Sequence, residues 1–155
     1  MSNSFVSTYQ NELIACIDNA VVEDLGKQGD HTSKAVFPKD LVSKAQLIAK
    51  GDGVLAGVAF CEFVLQRHGQ GVSLNPVVAD GAKFSKDEVL FYLEGDAQTI
   101  LSLERLMLNA LQRMSGIASL THQVQERIGH TNCKVLDTRK TTPNFRIAEK
   151  WAVAI

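Results

Sequence analysis

The feature that most constrains this chain is an apolar stripe at helical spacing. Ile100, Leu103, Met107, Ala110, Leu111, Met114 and Ile117 recur with a period near 3.6 residues. A stripe of that length needs an opposing layer, so the flanking segments must supply one. Gly95-Asp96 opens the pattern, and Asp96 is placed to cap the helix, its carboxylate also meeting the positive helix end. Ser102, Arg105, Asn109 and Gln112 run nearly in line on the other face. From spacing alone, Arg105 is a solvated charge or is paired with Glu104 or another acid. Ser115-Gly116 predicts a break, after which Ile117, Leu120, Val124 and Ile128 continue a second helix to Gly129.

The 155 residues allow one ordinary domain, or a small domain with part of another. A 45% hydrophobic and 21% charged composition is globular in character. The formal net charge of -1 provides no broad electrostatic footprint for nucleic acid or an anionic membrane, so anion binding has to be local. No apolar run approaches the ~20 residues of a membrane span, and the first residues lack a basic segment followed by an apolar one. The expectation is a cytoplasmic protein. Cys16, Cys61 and Cys133 are widely spaced and read as reduced, buried thiols. His31, His68, His122 and His130 show neither pairing nor acidic companions at metal-ligand spacing, so no structural zinc is expected.

Ahead of the long helical pattern, residues 8–24 read as an amphipathic helix carrying Leu13, Ile14, Ile17, Ala20 and Val21. A polar loop follows over 23–33, explicable by turn chemistry alone. Alternation over 43–50 predicts a strand with Ala45, Leu47 and Ala49 on one face. Gly51-Asp52-Gly53 marks a turn, and 58–67 a short helix. Gly53 and Gly57 match no phosphate-loop spacing and serve the backbone. Residues 72–79 and 89–94 are further β-like runs. Together these elements predict a compact α+β module.

Beyond the long helix, an apolar run at 133–136 reads as a buried strand. It ends in Asp137-Thr138-Arg139-Lys140-Thr141-Thr142-Pro143, an acid, three hydroxyls and two adjacent cations. The C-terminal end of a strand is where α/β folds place ligand sites, so Arg139 and Lys140 face an anion. Residues 145–154 resume a helix with Ile147, Ala148, Trp151 and Ala152 as its apolar positions. Helix, strand, loop and helix in that order read as the start of an α/β barrel.

The heptad 137–143, followed by Arg146 and Glu149-Lys150-Trp151-Ala152-Val153, resembles the signature of the quinolinate phosphoribosyltransferases, also called nicotinate-nucleotide pyrophosphorylases (carboxylating). Glu104-Arg105, Leu108-Asn109 and Ser115-Gly116-Ile117-Ala118 resemble that family's long-helix motif. Glu23-Asp24-Leu25-Gly26, Gly29-Asp30 and Thr32-Ser33 are similar to its N-terminal loop, and Ala49-Lys50 with Gly53-Val54-Leu55-Ala56-Gly57 to its first hairpin.

The resemblance implies an α+β, sandwich-like N-terminal domain over 1–112, including the long helix, then the beginning of an α/β barrel over 113–155, incomplete in this chain. It implies transfer of phosphoribose from phosphoribosyl pyrophosphate to quinolinate with decarboxylation, giving nicotinate mononucleotide in NAD biosynthesis. Arg105 is expected to reach into the partner's site of a homodimer. Thr138, Arg139 and Lys140 are expected to bind quinolinate, with Lys140 between the quinolinate and phosphoribosyl pyrophosphate sites as the catalytic residue. Magnesium is expected to arrive with phosphoribosyl pyrophosphate, its protein ligands lying outside this chain. Two guanidiniums suit a dicarboxylate because each offers planar, bidentate donors.

The family's pattern continues beyond this chain's last residue, so the chain alone is expected to be inactive. Val135, Ile147, Trp151 and Val153 are expected to lack covering neighbours, favouring dimerisation, swapping or aggregation. The alternatives are a non-catalytic anion-binding or assembly fragment, and a paralogous phosphoribosyltransferase acting on a different acid.

Overall fold

A computed structural model describes residues 2–155, with side chains from residue 5 onward. Helices α1 (Ser2–Thr8) and α2 (Gln10–Leu25) lead into α3 (His31–Val36). Strand β1 (Val42–Ile48) and the short β2 (Gly53–Val54) precede α4 (Val58–His68). Strands β3 (Val72–Pro76), β4 (Lys83–Phe84) and β5 (Val89–Asp96) follow, then α5 (Ala97–Ile128) and α6 (Arg146–Ala154). No described helix is long and apolar enough to cross a membrane.

The main sheet is antiparallel, in the order β1-β5-β3. Its register sets Ala45 opposite Leu93, Leu47 opposite Phe91 and Leu74 opposite Leu93. The apolar face expected from the alternation of β1 is therefore the face that meets the core, with Phe91 and Leu93 buried beside it. Helices α4 and α5 pack on this assembly through Phe60, Val64, Leu103, Met107 and Leu111.

Helix α5 is one uninterrupted element of 32 residues, about 48 Å at 1.5 Å per residue. The break expected at Ser115-Gly116 does not occur. Ser115 Oγ accepts from the Ala56 amide at 3.1 Å and donates to the Ala56 carbonyl at 3.2 Å. Ser119 Oγ accepts from the Val54 amide at 2.8 Å. These hydroxyls satisfy the β2 segment from the side of the helix, so small polar residues mark a close approach rather than a stop. Gly57, at φ +118°, fits the same approach: a Cβ there would stand 3.3 Å from Leu111 and Met114 side-chain atoms.

Three further expectations change. The polar loop at 23–33 contains the start of α3, whose N-cap Asp30 accepts from the Ser33 amide at 3.0 Å and from its hydroxyl at 2.5 Å. Cys133 is exposed, whereas Cys16 and Cys61 are buried. His122 does have an acidic companion, Glu126 one turn on at 2.9 Å, and His68 meets Asp18 at 2.8 Å.

The largest correction concerns 133–136, which is irregular rather than a strand, and whose Leu136 is 85% exposed. A strand is held by a ladder of backbone bonds to a neighbour, and no described strand lies beside this run. Val135 ties it to the body, its amide donating to Gln125 Oε1 at 3.1 Å. Ile147 and Trp151, in contrast, do not lack cover. Trp151 is 1% exposed and stacks on Phe5 at a centroid distance of 5.2 Å. The N-terminal helices cover α6 where uncovered apolar surface was expected.

Candidate functional site

Helix α6 presents two faces. Ile147, Ala148, Trp151 and Ala152 enter the core, while Arg146, Glu149 and Lys150, spaced i, i+3 and i+4, meet the segment 137–143. Lys150 forms an ion pair with Asp137 at the start of that segment. Arg146 Nε donates to Thr141 Oγ1 at 3.0 Å, and its Nη2 to the Arg139 carbonyl at 3.4 Å. Glu149 accepts the Thr142 amide at 3.2 Å and the Thr142 hydroxyl at 2.8 Å.

Glu149 is 8% exposed and is the one charged residue among the described residues that is buried. From α5, Arg113 donates to its Oε1 through Nε at 3.0 Å and Nη2 at 2.8 Å, and to Thr142 Oγ1 at 3.0 Å. Burial pushes the Glu149 carboxyl up, but the hydrogen bonds from Arg113 and Thr142 together outweigh it, and the net shift is downward. The group is therefore a carboxylate at neutral pH.

Within this frame Thr138, Arg139 and Lys140 are all exposed. Thr138 Oγ1 accepts from the Lys140 amide at 3.2 Å, a local turn that bends the segment between its anchored ends. Two adjacent cations on such a bend can receive an anion. Arg139 and Lys140 make no side-chain ion pair among the described residues.

A groove of about 570 Å³ runs between α2, α5 and residues 142–145 at the end of the heptad. Arg105, Asn109 and Arg113 line one wall, Asp24 another, and Thr142, Pro143 and Asn144 the rim. Arg105 Nη1 donates to Asp24 Oδ1 at 2.6 Å, and its side chain remains 72% exposed. The pairing left open by spacing is thus with Asp24 rather than Glu104. Thr138, Arg139 and Lys140 lie outside the groove lining, and among the described residues no hydrogen bond or ion pair joins Arg105 to them.

The description "Quinolinate phosphoribosyl transferase, N-terminal domain" matches residues 30–115, and the corresponding C-terminal domain matches 117–155. The chain belongs to the quinolinate phosphoribosyltransferase family. A tobacco mitochondrial quinolinate phosphoribosyltransferase (decarboxylating) is 40% identical over 136 residues, 88% of this chain and 38% of the relative. A probable nicotinate-nucleotide pyrophosphorylase (carboxylating) of Bacillus subtilis is 36% identical over 92% of this chain and 48% of its own length. The solved nicotinate-nucleotide pyrophosphorylase of Francisella tularensis superposes with a TM-score of 0.84 at 30% identity, covering 93% of this chain and 50% of that one. The Ehrlichia chaffeensis structure gives 0.83 at 33%, covering 89% and 50%.

The chain therefore spans about half the length of these family structures. Its sheet and helices form the α+β N-terminal part, and α6 belongs to the beginning of the family's C-terminal domain. Glu149 and Arg113 were missed as functional candidates because nothing local marks a partnership across 36 positions. The available signal was their position: Glu149 shares the heptad's own motif, and Arg113 lies two turns beyond Arg105. Among the described residues no group of three or more His, Cys, Asp or Glu side chains is arranged to hold a metal ion.

Proposed function

We propose that this chain supplies the acceptor-binding part of an enzyme that transfers phosphoribose from phosphoribosyl pyrophosphate to quinolinate. The observation that supports this most directly is the bend at 138–140. Its ends are anchored to α6, while the Arg139 and Lys140 side chains remain without an ion-pair partner. Arg139 takes one carboxylate of quinolinate through its planar fork, with the Thr138 hydroxyl beside it. Arg105, largely exposed on its helix, takes the second carboxylate in the partner's site of a homodimer.

The reaction then needs position and charge more than covalent help from the protein. The pyridine nitrogen forms a bond to the anomeric carbon as the bond to pyrophosphate breaks, and pyrophosphate leaves with the electron pair. The carboxylate next to the ring nitrogen departs as carbon dioxide, its bonding pair staying on the ring carbon and taking a proton. Lys140, between acceptor and donor, stabilises the departing oxyanions. Magnesium belongs to this reading as the companion of phosphoribosyl pyrophosphate.

Calorimetry with quinolinate, nicotinate and phosphoribosyl pyrophosphate tests the proposal. Quinolinate is expected to bind in preference to nicotinate, and Arg139→Ala to weaken binding by ~2 kcal/mol, about 30-fold. Preference for nicotinate would instead support a paralogous transferase. The 155-residue chain, which spans about half the length of its relatives, is expected to form no nicotinate mononucleotide by itself. Robust turnover by the purified chain overturns that expectation.

A further inference from the structure

Four side chains grip the segment 137–143, and where they grip it matters. Lys150 holds Asp137 at one end, Glu149 and Arg113 hold Thr142 at the other, and Arg146 holds Thr141 and the Arg139 carbonyl between them. Every one of these contacts falls on the frame. None uses the side chain of Thr138, Arg139 or Lys140. The segment has no strand to order it, so its shape depends on this face of α6 together with Arg113 of α5.

We infer that Glu149 and Lys150, helped by Arg146 and Arg113, are positioning residues that hold the bend at 138–140 ready for a dianionic ligand. The inference rests on the reading of that bend as the dicarboxylate site. Its physical basis is entropic. Fixing the backbone costs ~1–2 kcal/mol per residue, and a bend ordered before the ligand arrives does not charge that cost to binding. The arrangement also explains why a carboxylate is buried at 149. An acid with no role there would remain neutral or be replaced, whereas this one accepts from both the loop and α5.

The test uses the isotopically labelled 155-residue chain, with Glu149→Gln, Lys150→Met and Lys150→Arg. Nuclear relaxation at the 138–140 amides, hydrogen exchange at the Thr142 amide, the melting temperature and quinolinate titration are measured for each. Expected are faster motion at 138–140 in the first two variants and at least ~tenfold faster Thr142 exchange in Glu149→Gln. Quinolinate affinity should fall about tenfold, the size of one lost charged hydrogen bond. Lys150→Arg, which keeps the charge, should restore order and affinity, an outcome that general destabilisation does not produce. Should Glu149→Gln fail to fold, the Lys150 pair decides alone. A bend as ordered in Lys150→Met and Glu149→Gln as in the unaltered chain overturns the inference. If the unaltered chain binds no quinolinate, the substrate reading fails while the relaxation data still decide whether α6 holds the bend.

Discussion

Asp18 illustrates how a single half-buried group carries a pH signature. The hydrogen bond from Arg67 is the main cause of a pKa lowered from 3.8 to about 2; partial desolvation opposes it and His68 adds to it. A carboxyl depressed on folding stabilises the protein above its unfolded pKa, and that contribution disappears as pH falls through the folded value. The melting difference between the unaltered chain and Asp18→Asn should therefore be constant above about pH 5 and shrink towards about pH 2. A difference that grows on acidification would contradict the assignment. The cysteines make a second prediction at this scale. Burial pushes the Cys16 and Cys61 thiols up, Cys61 strongly, whereas Cys133 is exposed. A maleimide should label one thiol per native chain, at Cys133, and all three only after unfolding.

Among the elements, the β3 and β5 pairing leaves no room for a side chain at Gly95. Gly95 stands at φ +152°, opposite Val72, and a Cβ there would lie 2.2 Å from the Gly71 carbonyl oxygen. Gly95→Ala must therefore push the strands apart at the point where β5 turns into α5. A loss of ~3 kcal/mol or more is expected, measurable as a lower denaturant midpoint. An unchanged midpoint would mean that the strand edge yields without penalty. The uninterrupted α5 carries a related lesson. Ser115 and Ser119, one turn apart, replace the strand neighbour that β2 lacks on that side, so the helix functions partly as a sheet edge.

Across the whole molecule, the exposed apolar surface does not lie on the residues for which the sequence expected it. Trp151 and Ile147 are covered, but Leu120 at 62%, Val124 at 39% and Leu136 at 85% remain exposed around the end of α5 and the irregular run after it. Apolar side chains gathered in this way favour association. Light scattering at micromolar concentration should show a dimer or larger species, reduced by Leu120→Ser with Leu136→Ser. A clean monomer of the unaltered chain would count against this.

The legible parts of the chain were those governed by local rules. The period of about 3.6 residues revealed α5, strict alternation revealed the buried face of β1, and Asp96 caps α5 through the Thr99 amide at 2.8 Å. Repeats and caps involve residues a turn or two apart, so their physics lies within the sequence window. The heptad's residue types likewise carry the proposal that Arg139 and Lys140 face an anion, because adjacent cations among hydroxyls suggest that chemistry without reference to a distant partner. Only tertiary structure decided whether 133–136 would be a strand, because a strand depends on a neighbour that no local pattern specifies. It also decided that Arg105 rests against Asp24, 81 positions away, and that Glu149 is the buried anchor of the bend. Those outcomes depend on which distant side chains folding brings together, and on the cost of burying a charge unless they arrive.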